Sequence, residues 1–377
     1  MVGKPGMIPM VLFLTFIIAV AFSGEAFAGS PRVTADAAVL IDVADGQIYF
    51  SKNHTRRAAP ASLTKLMTAV VALENGRLED VVTIDSEAAS ESMGSIIDLR
   101  KGEKITLEEL LTAALVISAN DSTVAIASHV GGSHSSFVTM MNSKASALGL
   151  FHTRFVNTNG FHHPNHYTTA YDLALLARYA LGHSKINELV QTRETAIHWI
   201  EPADREEKLR NSNRLLFGQY EGADGVKTGT TGRAGNCLIA SATRDNRRLI
   251  AVALHSDDRY RDCINMFDYG FNVIKPITVV EAGEPMISVK VSDGVRNMVE
   301  LVAENNLEIR LDPEDLPNVE RKIIVPDPLA APLKTGQHLG ECICLLQGQE
   351  LGRVKLLVAE ELKRPGWHRQ VWDLLFN

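Results

Sequence analysis

The chain has only four cysteines in 377 residues, and no two of them form a Cys-x-x-Cys. Without that spacing, a thiolate zinc site or a dithiol redox centre has no framework. His152, His162, His163 and His166 crowd one region. They include no His-x-x-x-His on a predicted helix, and no carboxylate set stands near them at ligand spacing. They therefore read as a polar loop rather than a metal centre. Positive charge is not in excess. The formal net charge is −7, which gives no reason to expect nucleic acid as a partner. There is no internal repeat and no low-complexity tract. The apolar run from Pro9 to Phe22 falls short of the roughly 20 residues that a membrane span needs.

That run belongs instead to a targeting segment. Lys4 supplies a positive start, and Ala26-Phe27-Ala28 is a small-x-small cleavage site. A cleaved export signal over 1–28 is the first reading and an uncleaved anchor the second. Either places the rest of the chain outside the cytoplasm, in the periplasm or cell wall. In an exported chain the cysteines raise the question of disulfides. Cys342 and Cys344 alternate on a predicted strand, so they share a face and are poorly placed to bond each other. Cys237 falls on another strand and Cys263 on a helix, so four free buried thiols are expected.

The remainder divides in two where the composition shifts, at Lys275-Pro276. Residues 29–275 carry a strand (37–42), a hairpin turn at Asp45-Gly46 and a return strand (47–50). A polar loop is expected over 85–104. Helices follow from Leu107, capped by Thr106 with Glu109, then from Ser122, from Phe137, and after Thr169 with Asp172. Two apolar strands, 236–242 and 248–254, and a helix at 261–269 close the stretch. Helices in the middle with strands from both ends make an α+β pattern on a mainly antiparallel sheet. Residues 276–361 read as short alternating strands, a small all-β domain. In the tail, 362–377, Trp367, Val371, Leu374 and Leu375 form an apolar stripe near Lys363, Arg364 and Arg369.

One stretch organises the catalytic reading. Ser62-Leu63-Thr64-Lys65 stands where a loop gives way to a helix, with apolar residues at helical spacing from Leu63 to Leu73. Ser62 and Lys65 lie one turn apart at the positive end of the helix dipole, a setting for an activated nucleophile. Taken alone this is also an N-cap serine before a surface lysine. Downstream, Ser118-Ala119-Asn120 fills a tight break between two apolar helices, where Asn120 or Asp121 could simply cap the second. Lys227-Thr228-Gly229 then precedes the closing strands. A second copy, Lys334-Thr335-Gly336, follows Pro332 inside the β domain and reads as a turn.

The ordered set Ser-x-x-Lys, Ser-x-Asn and Lys-Thr-Gly behind an export signal resembles the serine D-alanyl-D-alanine carboxypeptidases, the low-molecular-mass penicillin-binding proteins. The likeness extends to Asn211-Ser212-Asn213-Arg214-Leu215-Leu216, to 166–172 and to the C-terminal β domain. It implies a helix cluster on a five-stranded antiparallel sheet, trimming of the terminal D-alanine from peptidoglycan stem peptides, and acylation by β-lactam antibiotics. In such a site Ser62 would attack, Lys65 would act as base, Ser118 would relay the proton and Asn120 would hold Lys65 and the substrate amide. Lys227 and Thr228 would bind the terminal carboxylate. Gly229 would admit the substrate, and the N–H groups of Ser62 and Thr230 would form an oxyanion hole. Arg261, or else Arg259, would add charge beside the carboxylate. No metal or organic cofactor is called for.

Two departures from the family pattern stand out. Related enzymes can carry histidine where this chain has Thr230, and their amphipathic tail is often longer. The short tail would make only a weak peripheral membrane contact, or would pack on the β domain. A β-lactamase is the nearest alternative. It needs a deacylating carboxylate in a Glu-x-x-Leu-Asn loop, and no such stretch lies between Asn120 and Lys227. The other alternative is a non-catalytic penicillin-sensing or wall-binding protein, against which the intact motif residues argue.

Overall fold

The computed structural model describes residues 14–17 and 29–366. Most of the 1–28 stretch read as an export signal, and the apolar stripe expected in the tail, lie outside those residues. The exception is a short strand, β1 (Leu14–Ile17), whose backbone pairs with Glu320–Ile323. The described residues form two compact units, 29–272 and 273–366, with 14–17 in the second.

The first unit is built on an antiparallel sheet of five strands. These are β2 (Ala37–Asp42), β3 (Ile48–Lys52), β8 (Ala223–Thr231), β9 (Gly235–Arg244) and β10 (Arg247–Ser256), in the order β3-β2-β10-β9-β8. The long apolar runs in β2 and β10 follow from burial on both faces. Every residue of β2 is buried. Alternate positions serve different cores, as the two-residue period of a strand requires. Val39, Ile41, Ile239, Ile250 and Val252 join the helical core. Leu40 and Leu249 instead pack beneath Gly270, at the end of helix α8 (Arg259–Asp268).

The helical side consists of α1 (Lys65–Asn75), α3 (Leu107–Val116), α4 (Asn120–Gly131), α5 (His134–Ala147), α6 (Ala170–Ala180) and α7 (Ser184–Gln191). The expected caps are present. Thr106 accepts from the Glu109 N–H at 3.2 Å, and Thr169 from the Asp172 N–H at 3.0 Å. The 85–104 stretch is more ordered than a polar loop. It contains helix α2 (Ser86–Ser90), capped by Asp85, and ends at the first residue of β5 (Lys104–Thr106). The latter joins β4 (Val81–Thr83), β6 (Glu194–Glu201) and β7 (Glu206–Arg210) in a small second sheet. Strand β7 was invisible to pattern reading because only Leu209 of Glu-Glu-Lys-Leu-Arg is buried.

The second unit is all-β. Strands β12 (Pro285–Ser292), β13 (Met298–Ala303), β15 (Glu320–Ile324), β16 (Leu329–Ala330), β17 (His338–Leu346) and β18 (Gln349–Val358) form one sheet with β1. Strands β11 (Lys275–Val280) and β14 (Leu307–Leu311) form another. Lys334 is exposed, and its carbonyl accepts the Gln337 N–H in a turn, so the second Lys-Thr-Gly is a loop feature. All four cysteines are free and buried.

One buried carboxylate couples the fold to the site. Asp121 is fully buried and accepts the N–H groups of Ile97 (3.0 Å), Leu99 (3.1 Å) and Ser122 (2.9 Å). It thereby pins the 91–100 segment against α4. Asp121→Ala should orphan these donors and cost about 3 kcal/mol or more in stability. Urea denaturation checks this. A loss below about 0.5 kcal/mol would show that the carboxylate does not anchor the segment.

Candidate active site

Ser62 lies in a single 3₁₀ turn, Ala61–Thr64, that runs directly into α1. The turn is held from two sides. Ala61 adopts φ +49°, a region costly for a residue with a Cβ. Gly160 lies so close that a Cβ there would sit 1.8 Å from the Ala61 carbonyl oxygen. On the other side, buried His166 contacts Thr64 Oγ1 through Nε2 at 2.9 Å. The Val156 N–H donates to His166 Nδ1 at 3.2 Å, so Nε2 carries the proton and the ring is neutral. Burial, reinforced by the neighbouring His163 and His162, pushes His166 down to about 4.

Lys65 is fully buried, and its Nζ reaches three oxygens. These are Asn120 Oδ1 at 2.6 Å, the Asn159 carbonyl at 2.8 Å and Ser62 Oγ at 3.1 Å. Asn120 does not act as a helix cap. It is the first residue of α4, its Nδ2 donates to the Met93 carbonyl at 2.6 Å, and this orients Oδ1 toward Lys65. Two of the three Lys65 partners can only accept. Only the Ser62 hydroxyl can donate as well. A neutral amine satisfies this set by giving two N–H bonds to Asn120 and Asn159 and accepting a hydrogen bond from the Ser62 hydroxyl on its lone pair. The electrostatics favour that state. Burial first, then the charge of Lys227, hold Lys65 well below the usual lysine range, against a smaller opposing pull from Glu91 and Asp121.

Lys227 is likewise buried, on the edge strand β8, with Nζ donating to the Thr228 carbonyl at 3.2 Å. Burial and then the charge of Arg259 push it down to about 7. The charge of Lys227 thus adds to burial in disfavouring the protonated form of Lys65. Thr228 Oγ1 meets Ser212 Oγ at 2.6 Å. A Cβ on Gly229 would come within 3.0 Å of the Ser62 nitrogen, so glycine is what lets β8 close on the serine turn. Ser118, in the break between α3 and α4, adopts φ +71°. Its Oγ is buried without a hydrogen-bond partner among the described residues. Ser62, Ser118, Asn120, Ser212, Thr228 and Gly229 share the lining of one cleft of about 230 Å³, which Thr230 also borders.

The structure thus assembles every motif residue expected at the site except Arg261. That side chain is exposed on the first turn of α8. Arg259 reaches β8 instead, where Nη1 donates to the Gly229 carbonyl and Thr230 Oγ1, both at 2.9 Å, and to the Cys237 carbonyl at 3.2 Å. The two arginines are two positions apart, so they leave the helix in different directions. Sequence reading missed Asn159 and Gly160 as site residues. The Asn-Thr-Asn-Gly run at 157–160 marks a tight turn but carries no sign of what it turns against.

The family model for D-alanyl-D-alanine carboxypeptidases matches residues 25–258. The chain belongs to the D-alanyl-D-alanine carboxypeptidase family. A second model, for the C-terminal domain of penicillin-binding protein 5, matches 275–364. The chain is 35% identical to the D-alanyl-D-alanine carboxypeptidase DacF of Bacillus subtilis over 342 residues, 88% of this chain and 87% of that protein. Among solved structures it is similar to the D-alanyl-D-alanine carboxypeptidase DacD of Francisella tularensis (TM-score 0.72, 26% identity, 92% of this chain and 98% of that one). It is also similar to the Streptomyces K15 DD-transpeptidase (TM-score 0.62, 29% identity), but over 65% of this chain against 99% of that one. The chain is a serine D-alanyl-D-alanine carboxypeptidase of the penicillin-binding protein family, and the β-lactamase and non-catalytic alternatives are not favoured.

The His166 arrangement generates a pH prediction. Its folded value, about 4, lies below the ordinary value of about 6.5. The unfolded chain therefore binds more protons between those two values. The stabilisation is fully present above pH 6.5 and is lost as pH falls toward 4, by about 3 kcal/mol. His166→Gln should remove this component of the pH dependence. Urea unfolding of both proteins at pH 7 and pH 4 measures it, and parallel losses in the two would contradict it.

Proposed function

We propose that the carboxypeptidase reaction runs through an acyl-enzyme on Ser62, with Lys65 as its base. Ser62 Oγ attacks the carbonyl between the two terminal D-alanines of a peptidoglycan stem peptide, and its proton passes to neutral Lys65. The new Ser62 Oγ–C bond forms as the C–N bond breaks. The proton reaches the departing amine through Ser118, whose unpartnered hydroxyl lines the cleft. Water then hydrolyses the ester. The observation that carries this reading is the Lys65 environment, in which only the Ser62 hydroxyl can offer a proton to the amine.

The other roles follow from placement. Lys227 and Thr228, with Ser212 beside Thr228, bind the terminal carboxylate of the substrate. The N–H groups of Ser62 and Thr230 form the oxyanion hole, and the closeness of Gly229 to the Ser62 nitrogen supports that arrangement. Arg259 takes the part expected of Arg261. It braces the edge of β8 and keeps positive charge beside Lys227. A β-lactam presents the same carboxylate and carbonyl, and so acylates Ser62. The chain acts outside the cytoplasmic membrane after export, with at most a weak contact of the 362–377 tail with the membrane surface.

The test is intact-protein and peptide mass spectrometry after exposure to penicillin. Wild type should carry one long-lived ester, on the peptide containing Ser62. Lys65→Arg keeps a cation but supplies no neutral amine, and should slow acylation by about a hundred-fold or more. An adduct elsewhere, or near-wild-type acylation of the variant, would overturn the assignment.

A further inference from the structure

Both obligate acceptors of the Lys65 amine lead back to one carboxylate. Glu91 closes helix α2, where its N–H donates to the Ala88 carbonyl at 3.2 Å. From there its side chain holds two separate arms of hydrogen bonds. In the first, Glu91 Oε1 accepts the Met93 N–H at 3.0 Å. The Met93 carbonyl accepts Asn120 Nδ2 at 2.6 Å, and Asn120 Oδ1 accepts Lys65 Nζ at 2.6 Å. In the second, Glu91 Oε2 accepts Asn159 Nδ2 at 3.4 Å. Asn159 Oδ1 accepts the Phe161 N–H at 3.1 Å, which fixes the direction of that amide, and the Asn159 carbonyl accepts Lys65 Nζ at 2.8 Å. The two arms start at one carboxylate and end at one amine. They take in both Lys65 partners other than Ser62 Oγ.

Packing does not explain how this segment is held. Residues 92–95 are exposed, and the Met93 side chain is 63% accessible, so only its backbone serves the first arm. Among the described residues, Glu91 forms no ion pair. Its charge acts on Lys65 instead. Lys227 on β8 disfavours the protonated amine, while Glu91 and, less strongly, Asp121 on α4 favour it. Arg259 on α8 acts on Lys227. Glu91 is not among the residues that line the cleft. It therefore works through its partners rather than on the substrate or the attacking water.

We propose that Glu91 is a positioning residue for acylation: one carboxylate holds both acceptors of the Lys65 amine and supplies the negative charge that opposes Lys227. The inference rests on the acyl-enzyme reading above, in which neutral Lys65 is the base. The hydrogen bonds aim the amine at Ser62 Oγ and so set the height of the acylation rate. The charge favours the protonated amine and so sets the pH below which the base is lost. Removing that charge moves the limit to lower pH.

The experiment measures the second-order rate of penicillin acylation against pH, with circular dichroism to confirm folding. In wild type the rate should rise along a low-pH limb to a plateau. Glu91→Gln lacks the charge and one of the two acceptor oxygens. Its plateau should fall by about tenfold and its limb should move to lower pH. Glu91→Asp keeps the charge on a shorter side chain, so its limb should stay at the wild-type pH while its plateau falls. A Glu91→Gln profile that matches wild type would overturn the proposal. So would a limb that moves to higher pH, which would mean that water had reached Lys65 and that Glu91 is merely structural. A limb that moves equally in Glu91→Asp would show that charge is not the cause, and would overturn it too. A longer-lived ester with an unchanged acylation profile would assign Glu91 to hydrolysis instead. A wild-type profile without a low-pH limb, or near-wild-type acylation of Lys65→Arg, would overturn the acyl-enzyme reading and this proposal with it.

Discussion

A primary amine sealed inside the protein between two obligate acceptors is the constraint on which the rest of the site depends. An ammonium ion at Lys65 would have to be desolvated beside a second buried amine, Lys227. A neutral amine needs no such arrangement, and here it has an outlet for its lone pair in the Ser62 hydroxyl. The surrounding elements keep that geometry in place. Met93 orients the Asn120 amide, Asp121 pins the segment that carries Met93, and Gly160 and His166 clamp the serine turn from either side. These groups take no part in the bond changes themselves, yet each helps to set where the Ser62–Lys65 pair lies.

The site was largely legible in the sequence because its chemistry is written in short local spacings. Ser62 and Lys65 are one turn apart, Ser118 and Asn120 flank a helix break, and Lys227 to Gly229 lie on one strand. Residues that act through the backbone were not legible. Asn159 offers only its carbonyl and Gly160 only its lack of a side chain. No residue type announces such a role. The Arg259 and Arg261 pair shows a related limit. Two arginines in one helix start are equivalent in composition, and only the rotation of the helix against β8 separates the one that touches the strand from the one in solvent.

The fold shows the same division. Strands β2, β9 and β10 were readable because burial on both faces leaves a continuous apolar run. Strand β7, charged at all but one position, and the short β5 owe their existence to pairing partners far away in sequence. Asn120 was ambiguous for a similar reason. Its position suits a helix cap, but the tertiary contacts with Lys65 and Met93 take both ends of its amide.

The most direct test of the account is the protonation state of Lys65 in the resting protein. Side-chain carbon resonances of labelled lysine, with Lys65 assigned by its loss in Lys65→Arg, report that titration as pH is varied. The account predicts a midpoint well below the ordinary lysine value of about 10.4. It also predicts that the midpoint rises in Lys227→Ala, because a like charge has been removed. A Lys65 that keeps its proton up to the ordinary lysine range would contradict the claim that this amine is the base that activates Ser62.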